Sequence, residues 1–159
     1  MDFTLSDDHK ALRDSAHVFL DKEVDLAPLL KPGATVADVD YAGLLPDLFQ
    51  LSVGRFYLQM ASEPDKKRVL TIIRKIIRPE HLVFIGVIDP INPAIETPSQ
   101  VRDRILEAAS ILHVTSLGST DDCGFSPFAD DISTARDTAF SKIRARVEGT
   151  ALADRELGL

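Results

Sequence analysis

The sequence predicts an α/β fold of parallel βα units forming part of a TIM-like (β/α) barrel, with an extra N-terminal helix. Three observations lead there. Val83-Phe84-Ile85-Gly86-Val87-Ile88 is apolar throughout, as suits a strand covered on both faces of a parallel sheet. Two segments with helical apolar spacing flank it, and short strand-like runs stand before the first and after the second. Strand–helix units of this length favour parallel pairing through crossovers. A closed barrel needs eight strands. Three convincing ones leave either part of a barrel or a small three-layer α/β fold.

The organisation divides near residue 40, giving a 1–40 helix and linker and a 41–159 βα domain. Residues 7–30 read as helix. Ser6 can cap it, Asp7 and Asp8 suit the positive end of its dipole, and Leu12, Ala16, Phe19 and Leu20 recur at helical spacing. Lys31-Pro32-Gly33 ends it, and a small, polar stretch runs on to Tyr41. Phe56–Met60 then reads as a short strand. A helix follows, with Ser62 and Pro64 at its start and Val69, Ile72, Ile73, Ile76 and Ile77 as its buried stripe. Pro79 stops it before Val83–Ile88.

Thr97-Pro98-Ser99-Gln100 has the form of a capping box, and Val101, Ile105, Ala108 and Leu112 form the next stripe. A weaker strand is expected around Leu117–Thr120. Ser133 is a candidate cap for a last helix whose Ala135, Ala139, Ile143 and Val147 line up four apart, and Gly149 is expected to break that helix.

Composition sets the broad class. With 159 residues, 45% apolar and 27% charged, the chain suits one globular domain. Eighteen basic against 25 acidic side chains give a net charge of −7, which disfavours a general nucleic-acid binder. No apolar run approaches the ~20 residues of a membrane span, and Met1-Asp2-Phe3-Thr4 does not open a secretory signal. The single cysteine, Cys123, cannot form an internal disulfide, so a reducing cytoplasm is expected.

Ligands of parallel α/β folds gather at the carboxyl ends of strands. Those ends carry Gln59, Asp89, and Asp121-Asp122-Cys123. Asp89 and Asp122 are the candidate catalytic carboxylates, and Cys123 is the candidate metal ligand or nucleophile. Either role needs the thiolate, which neighbouring carboxylates alone oppose and a metal favours. The plainer readings are packing for Cys123, a turn cap before Pro90 for Asp89, and satisfied loop N–H groups for Asp121 and Asp122. The basic residues from Lys66 to Arg78, and Lys142, Arg144 and Arg146, read as solvated faces. His9, His17, His81 and His113 show no metal spacing. There is no phosphate-binding glycine loop and no nucleophile elbow.

Gly86-Val87-Ile88-Asp89-Pro90, Val101-Arg102-Asp103-Arg104, Lys142–Val147 and above all Asp121-Asp122-Cys123-Gly124-Phe125 carry a resemblance. Residues 41–159 resemble the C-terminal part of the cobalamin-independent methionine synthase family and its zinc-dependent alkyl-transfer relatives. The resemblance implies a barrel enzyme that holds zinc through an earlier His-x-Cys pair and a cysteine matching Cys123. The zinc would keep a substrate thiol as thiolate for attack on a methyl or alkyl donor; in the methionine synthases the thiol is homocysteine and the donor a methylated folate. This chain departs from the pattern: it has no His-x-Cys pair, Gln59 stands where the family has a zinc-binding glutamate, and Ile91 stands where it has a catalytic histidine.

Residues 1–43, through Met1–Ser6, Ala11-Leu12-Arg13-Asp14 and Phe19-Leu20, resemble the opening helix of the acyl-CoA dehydrogenases. The chain therefore reads as two family fragments joined near Tyr41–Leu44, truncated and weak or inactive alone. Self-association or a partner chain is expected at open sheet edges. The alternatives are a non-catalytic fragment or protein-interaction module and, behind it, an acyl-CoA dehydrogenase-like flavoprotein fragment.

Overall fold

The computed structural model describes residues 41–125 and 134–159. The helix expected over 7–30 and the candidate cap Ser133 lie outside them. In chain order the elements are α1 (Tyr41–Leu48), β1 (Arg55–Leu58), α2 (Lys66–Ile76), β2 (Leu82–Ile88), α3 (Pro98–Ala109), β3 (Leu117–Asp121) and α4 (Arg136–Leu157). The three strands form an open sheet in the order β1-β2-β3, with both pairings parallel. The α/β class and the parallel pairing agree with the sequence; the sheet of the described residues is open, not a closed barrel.

One face of the sheet carries the core. Phe56, Leu58, Val83, Ile85 and Val87 alternate toward it and are buried with Leu45 and Phe49 of the α1 region, Val69, Leu70 and Ile73 of α2, and Val101, Ile105 and Ala108 of α3. On the opposite face Tyr57 is 63% exposed and stacks on its register partner Phe84, ring centroids 4.6 Å apart. His81 is a core residue rather than a ligand. Its ring stands edge-on to Phe49 and Phe56, which stack at 4.1 Å, and its Nδ1 accepts the Arg78 N–H at 3.3 Å.

The capping box of α3 forms as expected: Thr97 Oγ1 accepts the Gln100 N–H at 3.2 Å, and Gln100 Oε1 accepts the Thr97 N–H at 2.8 Å. α2 begins later than expected. Its cap is Asp65, which accepts the Arg68 N–H at 3.0 Å, and Ser62 is engaged elsewhere. The chain from Tyr41 to Leu48, where the sequence marked only a change of texture, is a helix.

α4 corrects the sequence reading twice. Its buried residues are Lys142, Ala145, Gly149 and Ala153, whereas Ala135 and Val147 of the expected stripe are exposed. Gly149 does not end the helix, which continues to Leu157. The reason is the close contact with α3: a Cβ on Gly149 would lie 2.5 Å from Val101 Cβ and 2.6 Å from the Pro98 carbonyl oxygen. On the α4 side, small residues rather than large apolar ones are buried, and Gly149 lets Val101 of α3 come close.

Gly149→Ala is expected to destabilise the protein by about 1–3 kcal/mol through overpacking, outweighing the ~1 kcal/mol that alanine gains in helix propensity. Urea unfolding checks the sign; a stabilised variant would show that the two helices can move apart freely.

Candidate functional site

The parallel order places the carboxyl ends of β1, β2 and β3 along one edge, followed respectively by Gln59, by Asp89 and by Asp122-Cys123. The register runs from Val83↔Leu117 to Gly86↔Thr120, then skips Val87 to pair Ile88 with Asp121. The carbonyl of the skipped Val87 accepts Arg104 Nη1 at 2.6 Å. Beyond the bulge the Asp122 N–H donates to the Ile88 carbonyl at 2.9 Å, fixing the start of the Cys123 loop.

Asp122 reaches across the sheet. Its Oδ1 accepts the N–H groups of Met60 and Ala61, both at 2.8 Å, and its Oδ2 accepts the Ser62 N–H at 3.1 Å and the Ser62 hydroxyl at 2.8 Å. The path passes over Gly86 of the central strand, where a Cβ would fall 2.9 Å from the Asp122 Cγ and closer still to Oδ1. Only glycine leaves that room. Asp122 is thus an anchor between the ends of β3 and β1, and all four of these bonds draw on its negative charge.

Asp89 caps its own turn. Its Oδ1 accepts the N–H groups of Ile91 at 3.0 Å and Asn92 at 3.3 Å. Asp121 lies against Arg146, with 2.9 Å from Oδ1 to Nε. Burial raises the Asp121 carboxyl above its usual value even though Arg146 pulls the other way. Arg146 therefore serves an ion pair rather than a solvated face. Cys123 is half-buried, and its thiol is held above its ordinary value by burial first and then by the charges of Asp122, Asp89 and Asp121. The structure brings Asp89, Asp121, Asp122 and Cys123 into one electrostatic neighbourhood, and that neighbourhood favours the neutral thiol.

Sequence reasoning missed the charged core behind this edge. Lys142, read as solvent-facing, has no exposed surface. Its ammonium donates to the Asp89 carbonyl at 3.0 Å, the Ala94 carbonyl at 2.5 Å and Glu96 Oε2 at 2.8 Å. The other oxygen of Glu96 accepts the Asp89 N–H at 2.9 Å and lies 3.6 Å from Arg104 Nη1. Burial alone would raise the Glu96 carboxyl, but the Asp89 N–H and the Lys142 ammonium together hold it below its usual value. The signal was the row Lys142, Ala145, Gly149, Ala153, a small-residue helix face with a cation at its head.

Among the described residues no group of three or more His, Cys, Asp and Glu side chains could hold a metal ion. One thiolate does not fill a zinc site, which takes three or four protein ligands, so the described residues do not by themselves fit the zinc expected from the resemblance. A separate open groove lined by Thr71, Arg74, Ser110 and His113 carries no converging chemistry; Arg74 Nη1 is tied to the Ile111 carbonyl at 2.8 Å.

A solved structure of a B12-independent methionine synthase from Shewanella sp. W3-18-1, in complex with selenomethionine, matches this chain with a TM-score of 0.62 at 22% identity. The match covers 74% of this chain and 31% of that one. The two share a fold. The chain spans about a third of the methionine synthase it matches, and the likeness does not extend to the acyl-CoA dehydrogenase resemblance of residues 1–43. No family model and no curated protein matches the chain. No helix among the described residues is long and apolar enough to cross a membrane.

Alkylation of Cys123 by iodoacetamide is expected to reach half its maximal rate above the ordinary thiol pKa of about 8.5, and Asp89→Asn to lower that midpoint; an unmoved midpoint would remove Asp89 from the neighbourhood of the thiol. Asp122→Ala is expected to cost about 2–3 kcal/mol in urea unfolding, because it leaves the Met60, Ala61 and Ser62 N–H groups without their acceptor.

The acid dependence has two signs. The folded value of Glu96 lies below its unfolded one, so its stabilisation is complete above the ordinary carboxyl range of about 4.3 and is lost as pH falls through the folded value. Asp121 acts oppositely: its raised value makes ionisation costly, and that share of stability declines as pH rises through its range. Glu96→Gln is expected to flatten the loss of stability below about pH 4.3, read by circular dichroism against pH.

Proposed function

We propose that residues 41–159 are a methionine-synthase-like unit whose strand ends contribute to a site for methyl or alkyl transfer to a small thiol, as in the homocysteine methyltransferases. The observation that carries the reading is the Asp122-Cys123 loop at the carboxyl end of β3, beside Asp89, in a fold shared with a B12-independent methionine synthase. What these residues can do is limited and specific. Cys123 offers one sulfur ligand or contact, and Asp89 presents a carboxylate able to meet a substrate ammonium group. The Asp122 anchor keeps both strand ends in register. Acting alone, the unit is a weak or inactive catalyst, and the remaining groups of a transfer site come from outside the described residues, from a partner chain or a second copy. Zinc belongs to the proposal only as a shared ion to which Cys123 adds a ligand.

A second reading has its own support. The four hydrogen bonds of Asp122 and the turn-capping bonds of Asp89 give both carboxylates structural duties, which suits a non-catalytic interaction module that keeps the fold.

Nuclear magnetic resonance titration with homocysteine separates the two. The transfer reading expects shifts confined to Gln59–Ser62, Asp89–Asn92 and Cys123, weakened in Cys123→Ser, with no turnover of a methylated folate by the chain alone. Absence of any shift at the strand ends, or shifts only elsewhere, would overturn it in favour of the module.

A further inference from the structure

We propose that Lys142 and Glu96 form an internal latch that positions the Asp89–Glu96 segment, the connection leaving the carboxyl end of β2. Beyond the buried Pro90 and the Arg104–Glu96 contact of 3.6 Å, the segment has no anchor of its own. Residues 91–95 are all exposed, Ile91 at 86%, so no apolar side chain between Ile91 and Ile95 anchors it in the core. Polar contacts take that place. The three donors of the Lys142 ammonium go to three residues of this one segment, the carbonyls of Asp89 and Ala94 and the carboxylate of Glu96. Glu96 closes the ring by accepting the Asp89 N–H, so the first and last residues of the segment are bound to each other and to one cation. Thr134 Oγ1 adds a bond to the Pro90 carbonyl at 3.3 Å.

Geometry couples the segment to α4. Lys142 is wholly buried on α4, between 46 and 53 residues along the chain from its acceptors. An ammonium deprived of its carboxylate in such a place is strongly disfavoured, so the segment and α4 hold their places together. Asp89 stands at the segment's first position and brings its charge to the carboxyl end of β2, on the edge that also carries Cys123. The latch therefore sets where that charge sits. Lys142 and Glu96 are positioning residues. From the proposed function the inference takes only the reading of the strand ends as the ligand-facing edge, and the latch is measured without ligand, so its failure and that of the thiol site are separate results.

Native-state hydrogen exchange on the full chain tests it, with Glu96→Gln and Lys142→Met beside the wild type. The amides of Asp89, Ile91, Asn92 and Ala94 are expected to exchange about tenfold faster or more in Glu96→Gln while those of Val83–Val87 keep their protection. Lys142→Met is expected to show the same local pattern; should it fail to fold, Glu96→Gln, which keeps the shape of the side chain but neither its charge nor its second acceptor oxygen, still decides. Unchanged protection of the segment, or a uniform loss across β2 and α4, would overturn the latch.

Discussion

A carboxylate that crosses a strand governs this edge of the molecule. Parallel strands joined by helices have no hairpin to tie their carboxyl ends, so something else must hold them level. Asp122 does so by passing over Gly86 of β2 to reach three successive backbone N–H groups after β1. The candidate site is built on that tie: Gln59 immediately precedes the anchored N–H groups, and Cys123 immediately follows the anchoring residue. Charge-assisted bonds of this kind are about twice as strong as neutral ones, which suits a strap crossing an otherwise open sheet.

Behind the edge lies a second polar device of different character. The Asp122 tie is partly exposed and runs within the sheet, whereas the Lys142–Glu96 pair is buried and joins a helix to a loop. Breaking such a buried pair by removing one partner typically costs about 3–5 kcal/mol, because the remaining charge has no water to turn to. The two devices meet at Asp89. Its backbone belongs to the pair, and its carboxylate lies in the field of the Cys123 loop. Neither is an ornament of the surface; together they give the strand ends a fixed outline.

Much of the frame was legible in the sequence, for identifiable reasons. The run Val83–Ile88 had the unbroken apolar character that suits a covered strand, and Thr97 with Gln100 spelled out a cap that the backbone then makes. The stripe Val101, Ile105, Ala108 and Leu112 announced its buried face because apolar volume was the organising force there. α4 was opaque for the opposite reason. Its contact with α3 depends on the absence of volume at Gly149 and on a charge, Lys142, whose acceptors lie far away in sequence, and hydropathic periodicity registers neither. The site was legible as a set of positions but not as a set of roles. Asp89, Asp122 and Cys123 do share one edge, yet the bonds of Asp122 to Met60–Ser62 depend on a spacing between strands that no local pattern encodes.

The crossing at Gly86 bears on chemistry as well as on folding. An acid at 122 and the lack of a side chain at 86 answer one steric requirement: while the carboxylate makes this crossing, any side chain at 86 collides with it. That requirement holds whether or not the edge does chemistry, so the acid beside the thiol is accounted for without a reaction. Part of what looks like a reaction centre here is therefore carpentry, and only the neighbours that the strap does not touch can testify to chemistry.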